Sequence, residues 1–421
     1  MPTAMHPGAR SVFVLFVLLT AGSFPAPAQD WPQWGGPNRN FVTEAKGLAS
    51  AWPSSGPRQL WSRELGEGYS AIAVERGVLY TMYRPAGGRN DDEAIVAIDS
   101  SSGKTMWEHR WTAPFVAGMR MENGPGPHVT PLVAGNLVYA VGTTGRLFAL
   151  QTVNGRVVWS KDLWKDLGGQ VMGRGYSCSP IAWKDTIILT LGGPGQSVVA
   201  LRQKDGGVVW KSGDFDPAPS SPLLINVDGQ DQLVVLATDG IVGMEPNTGA
   251  LLWRHPHKTD YGLNISTPVW TEGNLLFVSS AYSGGSRMLK LAQKAGKTAV
   301  TELWFTRRMR IHIGNAIRVG PLIYGSNGDF GPSFVVGIDV HSGEIAFQER
   351  GFSKANFIYA DGKLIVLDED GNLGLATPGP GGLKVLAKTE VLTKNAWTAP
   401  TLSGTRLYIR DRRNLAAFDL R

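Results

Sequence analysis

The sequence is nearly free of cysteine: Cys178 is the single cysteine among its 421 residues. One thiol cannot form an internal disulfide, so the stability of the fold has to come from packing. Cys178 lies in the stretch GYSCSP at the start of an apolar segment, which is typical of a buried structural thiol rather than a nucleophile. Because no cysteine lies directly after the N-terminal apolar run, we expect no lipid-modified N-terminus.

Helical patterns and long apolar segments are also missing. No window of about 12 or more residues in the body carries apolar residues at helical spacing, and no later segment is long enough to cross a membrane. Charged residues amount to only 18%, with both signs interspersed and a net charge of +6, so we expect no nucleic-acid partner. Glycine, in contrast, is frequent at 53 residues, which indicates an all-β protein with many tight turns.

The N-terminus has the pattern of a signal peptide over residues 1–28. Arg10 precedes the short apolar run SVFVLFVLLTAG, and the small residues that end at Ala28 form a cleavage site. The run is too short to span a bilayer in the mature protein, although an uncleaved anchor is the alternative. We therefore expect a periplasmic or secreted protein with an N-terminal arm at 29–56 and a folded domain at 57–421.

One motif recurs along the chain: a small residue, a polar turn ending in Gly, and an aromatic residue four positions after that Gly. The copies are AIDSSSGKTMW (97–107), ALQTVNGRVVW (149–159), ALRQKDGGVVW (200–210), GMEPNTGALLW (243–253) and the degraded GIDVHSGEIAF (337–347). Gly supplies the positive φ of a tight hairpin, and the small residue leaves room for an indole on the next strand. We interpret the aromatic residues of this and the related strands as structural docking positions: Trp61, Trp107, Trp159, Trp210, Trp253, Trp304 and Phe347.

A second marker precedes the motif: Ser, Thr or Ala followed by Pro, then two short apolar strands around a polar turn. Proline at the first residue of a strand loses no ladder hydrogen bond. Each unit therefore has four short antiparallel strands, and a chain of such units is typical of a β-propeller. We predict eight blades, whose first strands begin near Ser70, Thr130, Ser179, Ser221, Thr267, Gly320, Asn356 and Ala399.

The eighth unit ends in NLAAFDLR (414–421) with neither a glycine turn nor a tryptophan strand, whereas RQLWSREL (58–65) is a tryptophan strand without preceding partners. We predict that this N-terminal strand completes the last blade and closes the ring, which also covers an open sheet edge. Deletion of residues 29–65 is then expected to abolish folding, and truncation of the arm before Pro57 to be far milder.

The motif Ala-x-Asp-x-x-[Ser/Thr]-Gly-x-x-x-Trp resembles the tryptophan-docking repeat of the pyrroloquinoline-quinone (PQQ) propeller superfamily, with a complete match at 97–107. The resemblance covers essentially the whole mature chain, and DWPQWGGPNRN (30–40) is similar to the start of uncharacterised exported members. Two branches share the repeat: the quinoprotein alcohol dehydrogenases and the non-catalytic, eight-bladed outer-membrane-assembly propeller BamB, which is usually a lipoprotein.

The dehydrogenase branch implies PQQ, a calcium ion held by acidic and amide side chains, a catalytic Asp, two adjacent cysteines and often a C-x-x-C-H haem motif. This chain has one cysteine and no such motif, and no position matches the catalytic Asp. We therefore expect no catalytic residue and no cofactor, with PQQ and calcium only under the alternative reading. We also expect no metal site, because His255 and His257 have no third ligand nearby and are interpreted as a solvated pair.

The connections that lead from one unit to the next are longer than their role requires, and in a propeller they gather on one face around the central channel. They are 108–128, 160–176, 254–264, 305–315 and 387–397. Their basic and aromatic residues are types enriched at recognition surfaces. The candidate binding residues are Arg120, His128, Arg174, Tyr176, Tyr261, Arg307, Arg308, Arg310, His312 and Trp397.

These residues lead to the hypothesis of an exported, non-catalytic binding or scaffold module, expected to be a monomer, that takes a protein or an anionic envelope glycan at its loop face. The three arginines at 307, 308 and 310 are expected at the channel mouth near Arg174 and Tyr176. The alternative is a degenerate or cofactor-free quinoprotein alcohol dehydrogenase, and a third possibility is a carbohydrate-binding propeller.

Overall fold

The computed structural model describes residues 1–4, 30–86 and 91–421, which form strands, turns and loops. Strands group into eight antiparallel sheets of four strands each. The all-β, eight-bladed propeller predicted from the sequence is therefore confirmed. No helix in the described part of the chain is long and apolar enough to cross a membrane. Residues 5–28 of the predicted signal peptide lie outside the described residues.

The strands follow one another around the ring in chain order, with β1 (Arg58–Glu64) set apart at the N-terminus. Blade 1 contains β2 (Ala73–Glu75), β3 (Val78–Tyr83), β4 (Asp92–Asp99) and β5 (Thr105–Thr112); blade 2 contains β6 (Leu132–Ala134), β7 (Leu137–Val141), β8 (Arg146–Gln151) and β9 (Val157–Asp162). Blade 3 contains β10 (Ile181–Trp183), β11 (Thr186–Thr190), β12 (Val198–Arg202) and β13 (Val208–Ser212); blade 4 contains β14 (Leu223–Val227), β15 (Gln230–Leu236), β16 (Gly240–Met244) and β17 (Leu251–Pro256).

The second half of the ring repeats this plan. Blade 5 contains β18 (Val269–Thr271), β19 (Leu275–Ser280), β20 (Gly285–Lys294) and β21 (Lys297–Thr306); blade 6 contains β22 (Ile311–Val319), β23 (Leu322–Asn327), β24 (Phe334–Asp339) and β25 (Ile345–Glu349). Blade 7 contains β26 (Ala355–Ala360), β27 (Lys363–Asp368), β28 (Asn372–Gly379) and β29 (Gly382–Glu390); blade 8 contains β30 (Thr401–Ser403), β31 (Arg406–Arg410), β32 (Asn414–Asp419) and β1.

The burial of each strand follows its place in the blade. Strands in the middle have neighbouring blades on both faces, and all residues of β11 and β16 are buried. The fourth strand has solvent on one side, so in β9 Val158 and Ser160 are exposed while Trp159 between them is half-buried. A strand that is covered on both faces has a continuous apolar run, whereas a strand that is covered on one face alternates apolar and polar residues.

One first strand begins earlier than predicted. Blade 6 starts with β22 at Ile311, and Gly320 lies in the turn after this strand. Gly320-Pro321 resembles the marker that precedes a first strand, but here the proline precedes the second strand, β23. The prediction that this first strand begins near Gly320 is therefore wrong, and the connecting loop is confined to residues 307–310.

The ring closes where β1 pairs antiparallel with β32, with Trp61 opposite Ala417. Arg410, in the neighbouring strand β31, is fully buried and donates hydrogen bonds to main-chain oxygens of the first blade, including Met82 O at 2.9 Å. Burial lowers the pKa of this guanidinium to about 10. The N-terminal strand and this arginine together join the last blade to the first, as the sequence predicts for the strand.

The docking tryptophans join neighbouring blades by hydrogen bonds, with one exception. Five of them donate the indole N–H to a main-chain carbonyl in the turn between the third and fourth strands of the next blade. The acceptors are Ser100 for Trp61 (3.0 Å), Thr152 for Trp107 (2.8 Å), Gln203 for Trp159 (2.8 Å), Pro246 for Trp210 (3.2 Å) and Val340 for Trp304 (2.9 Å). Trp253 instead donates to Gln232 of its own blade, because the β20–β21 turn lacks the motif.

The glycine of the motif therefore has a second role beside its positive φ. A Cβ on Gly155, whose φ is +70°, would lie 2.4 Å from the ring of Trp107, and the same holds at 2.7 Å for Gly103 and Trp61. The residue must be glycine both because the turn is left-handed and because the preceding blade's indole covers it.

Side-chain hydrogen bonds join several neighbouring blades at the starts of their first strands. The amide of Thr130 donates to Ser179 Oγ and the amide of Ser179 donates to Ser221 Oγ, each at 3.0 Å. Thr401 Oγ1 donates to the carbonyl of Ile72 at 2.7 Å, across the closure. At Ser179 and Ser221, the hydroxyl of the residue before the marker proline therefore joins two neighbouring blades.

The N-terminal arm is folded into the hairpin end of the channel. Trp31 forms a β-bridge with Val74 of blade 1, and Val42 forms one with Tyr359 of blade 7. Between them Arg39 is buried and donates to the carbonyls of Ser179 and Pro180 in blade 3. The arm thus crosses the ring and closes one end of the channel.

Candidate functional site at the channel mouth

A cavity of about 220 Å³ opens at the other end of the channel, where the long connections between blades gather. Aromatic and imidazole rings line it together with a few small polar and aliphatic side chains. The rings are those of Trp34, Tyr69, His128, Tyr282, His312 and Trp397. We refer to this cavity as the mouth cavity.

The floor of the mouth cavity comes from the arm. Trp34 reaches up the channel and its indole N–H donates to Thr267 Oγ1 at 2.9 Å. Phe41 packs against this indole edge-on, with ring centroids 5.2 Å apart. The same segment therefore closes the channel below and forms the base of the cavity above.

One wall is a column of stacked rings from blades 1, 2 and 8. Tyr69 lies between His128 and Trp397, with centroid distances of 5.8 Å and 5.4 Å. Trp397 donates its indole N–H to Glu369 Oε2 at 2.9 Å, which fixes the ring orientation. This hydrogen bond and the two stacking contacts make the wall a preformed surface.

The opposite wall is built by blades 5 and 6. The hydroxyl of Tyr282 is hydrogen-bonded to His312 Nε2, and Tyr261 stands edge-on to Tyr282 at 5.2 Å. Phe330 lies 5.6 Å from Tyr282 and is largely exposed, so this wall continues outward as an aromatic rim.

The described lining of the mouth cavity carries one positive charge. Burial lowers the pKa of His128 and of His312 to about 4, so both imidazoles are neutral at neutral pH. Arg174 is the one charged side chain among the described residues that line the cavity. Its partner Glu122, at 3.0 Å, lies outside the cavity and is more than half exposed.

Four of the ten predicted binding residues line the mouth cavity: His128, Arg174, His312 and Trp397. Tyr261 is exposed on the rim. His312 belongs to strand β22 rather than to a loop, so a rigid element positions it.

The remaining predicted residues lie elsewhere. Tyr176 is buried in the core and donates its hydroxyl to the carbonyl of Thr190 at 2.7 Å, so it does not reach the mouth. Arg310 pairs with Asp329 at 3.4 Å. The side chains of Arg120, Arg307 and Arg308 are exposed and do not line the cavity, so the expected convergence of three arginines on the mouth is not seen.

Sequence reasoning missed Trp34, Tyr69 and Tyr282. Tyr69 directly precedes Ser70, one of the predicted blade starts, and Trp397 stands in a similar place before blade 8, so a signal for this wall was present. Tyr282 lies in a short turn within blade 5, and Trp34 lies in a segment that occurs only once, so neither position stands out in a repeat.

The two histidines at 255 and 257 are not a solvated pair, which corrects the prediction. His257 is buried, accepts a hydrogen bond from Arg287 at Nδ1 (3.0 Å), and contacts Ser280 Oγ with Nε2 at 3.0 Å. Since Nδ1 accepts, Nε2 carries the proton. His255 lies instead 3.6 Å from Glu302. Among the described residues no group of three His, Cys, Asp or Glu side chains could hold a metal ion.

The mouth cavity does not fit a calcium-bound quinone. Calcium takes several oxygen ligands, chiefly carboxylates, whereas the described residues that line this cavity include neither Asp nor Glu. The acidic and amide ligand set implied by the dehydrogenase resemblance is therefore not assembled here, and we derive no step through such a group.

The eight-bladed ring, the docking tryptophans and the central mouth define a PQQ-like β-propeller. Within that class, the chain belongs to the family described as outer membrane protein assembly factor BamB, whose model matches residues 35–163 and 91–349.

Individual relatives come from both branches. BamB of Yersinia pestis is 21% identical over 344 residues, covering 76% of this chain and 81% of that protein. The polyvinylalcohol dehydrogenase of a Pseudomonas species is 24% identical over 277 residues, but the match spans 54% of this chain and only 43% of the dehydrogenase. The quinohemoprotein alcohol dehydrogenase of Comamonas testosteroni has a similar fold, with a TM-score of 0.64 at 13% identity over 93% of this chain and 80% of that chain.

Proposed function

We propose that this protein is an exported, non-catalytic binding module that holds a protein or envelope ligand at the mouth cavity and its aromatic rim. The observation that carries the proposal is the mouth itself: preformed aromatic walls, one cation and no lining carboxylate among the described residues. Aromatic residues and arginine are the types that dominate recognition hot spots. A catalytic site would be expected to contain a carboxylate base or a set of metal ligands in addition to these binding residues.

Membership of the BamB family supports this proposal. The name of that family refers to assembly of outer membrane proteins, which fits a scaffold that binds other proteins. We extend the proposal to export with removal of residues 1–28 and to a monomeric protein. N-terminal sequencing of the protein recovered from the periplasm or medium tests the cleavage.

The binding test is capture of partners from an envelope extract by the immobilised mature chain. Arg174→Ser combined with Tyr261→Ser should remove most capture, and capture by the unmodified chain should weaken as salt rises. The matched control is Arg202→Ser, since Arg202 also forms a half-exposed ion pair, but with Asp205 in a hairpin turn on the other face. Equal capture by the double variant at the same salt would contradict the proposal.

The likeness to polyvinylalcohol dehydrogenase favours one second candidate, a quinoprotein oxidoreductase. Its test is reconstitution with PQQ and calcium, followed by a dye-linked alcohol oxidation assay. Our proposal expects no turnover above a blank without protein. Stoichiometric quinone binding with turnover would establish the dehydrogenase instead.

A further inference from the structure

Two residues that line the mouth cavity each have a buried side-chain polar atom without a hydrogen-bond partner among the described residues. Thr398 is 2% exposed, and its Oγ1 has no hydrogen-bond partner among the described residues. His312 Nδ1 is also buried and likewise has no partner among these residues. Both residues line the cavity, on walls contributed by blades 8 and 6. Buried polar groups are nearly always hydrogen-bonded, because an unmade bond is costly. A ligand that offers hydrogen-bonding groups in two directions would satisfy both atoms.

The size and lining of the cavity limit that ligand to a single ring. At about 220 Å³ it is smaller than the roughly 300–1,000 Å³ typical of sites for drug-sized ligands. Leu263, Ile265 and Ile313 are the large aliphatic residues of the lining, beside the aromatic rings and small polar side chains. A six-membered ring with apolar C–H faces and polar substituents at its edge matches this combination.

Arg174 indicates that the ligand carries a negative charge. Its guanidinium is the single charge in the described lining, and this positive charge adds to burial in lowering the pKa of both His128 and His312. Its ion pair with Glu122 is solvent-exposed, and such pairs contribute little. A carboxylate from a ligand can replace Glu122 and form the stronger bidentate pair.

We propose that the mouth cavity binds a pyranose that carries one carboxylate, as at the end of an acidic glycan. The carboxylate pairs with Arg174, and ring hydroxyls serve Thr398 and His312. A simple aromatic acid meets the charge and the shape but leaves both unpartnered atoms without a hydrogen bond. This inference rests on the proposed function and names its ligand class.

The experiment compares two ligands that differ only in the carboxylate, methyl β-D-glucuronide and methyl β-D-glucoside, with benzoate as the aromatic acid. Binding to the mature chain is followed by ligand-observed NMR titration. We expect saturable binding of the glucuronide, about tenfold tighter than that of the glucoside or benzoate. Arg174→Ser should remove the preference over the glucoside, and Arg202→Ser should retain it.

Thr398→Val provides a readout that a purely structural role would not produce. Valine has the shape of threonine and removes an unpartnered hydroxyl, so the melting temperature should stay the same or rise while glucuronide affinity falls several-fold. Equal affinity for benzoate, unchanged affinity in Arg174→Ser, or no glucuronide binding would each overturn the inference. If envelope capture still depends on Arg174 when glucuronide does not bind, the proposed function stands without it.

Discussion

A single glycine in each docking turn sets how closely two blades approach. Gly155 meets the indole of Trp107, whereas Gly135, in a first hairpin of the same blade, has a similar positive φ but no atom near the place of a Cβ. The two positions separate the cost of a left-handed alanine from the cost of a clash with tryptophan.

We therefore expect Gly155→Ala to lower stability clearly more than Gly135→Ala. Both variants pay for the positive φ, about 1–2 kcal/mol, and only the first adds overpacking of about 1–3 kcal/mol. Urea unfolding followed by tryptophan fluorescence measures the difference. Equal destabilisation would show that the glycine serves the turn alone and not the contact between blades.

Buried histidines make the stability depend on pH. Burial is the main cause that lowers the pKa of His257 to about 3 and of His128 and His312 to about 4, from an ordinary value of 6.5. Below pH 6.5 the unfolded chain takes up protons that the folded protein does not. The contribution of these groups is therefore full above pH 6.5 and is lost as pH falls toward 4.

His257→Gln should reduce this loss, because glutamine can still contact Arg287 and Ser280 but does not titrate. The measurement is the decrease in the urea midpoint between pH 7.5 and pH 5, which we expect to be smaller in the variant than in the unmodified protein. His341→Gln, at an exposed position, is the control and should leave the decrease unchanged. An identical decrease in the urea midpoint in all three proteins would contradict the claim that His257 makes the stability depend on pH.

The N-terminal arm is the element whose importance the sequence underestimates. Trp31 and Phe41 are 2% and 3% exposed, and Arg39 is buried against carbonyls of blade 3. Removing the arm would uncover these apolar contacts with the first strands and leave polar groups of the channel without partners. Its burial indicates that truncation before Pro57 lowers stability, while the expectation that this is milder than deletion of residues 29–65 stays a prediction.

Deletion of residues 29–56 should therefore lower the melting temperature by well over 5 °C, since loss of several buried side chains usually costs several kcal/mol. Differential scanning calorimetry of the mature and deleted chains measures this. Replacing the exposed arm residues Lys46, Ser50 and Ser54 by alanine is the control and should change the melting temperature little. Equal melting temperatures of the deleted and the mature chain would show that the arm does not stabilise the ring.

The ring as a whole was predictable because its signals are local and repeated. The motif that contains Gly103 and Trp107 recurs in several blades. The tryptophan strand at Trp61 can complete only the last blade, which otherwise lacks a fourth strand. Blade 6 was misplaced because Gly320-Pro321 imitates the marker of a first strand. The mouth was predictable in part: His128 and Trp397 precede blade starts, but Trp34 comes from a segment without a repeat, and only the fold brings it under the cavity.

The central claim is that this protein binds its partner at the loop face. Site-specific photo-crosslinking in cells tests it most directly, with a photoreactive amino acid placed either at Tyr261 on the rim or at Val153 in a hairpin turn on the opposite face, both largely exposed. The account predicts discrete crosslinked species from position 261 and none from position 153. Crosslinks from position 153 alone would contradict the account and move the binding surface to the hairpin face.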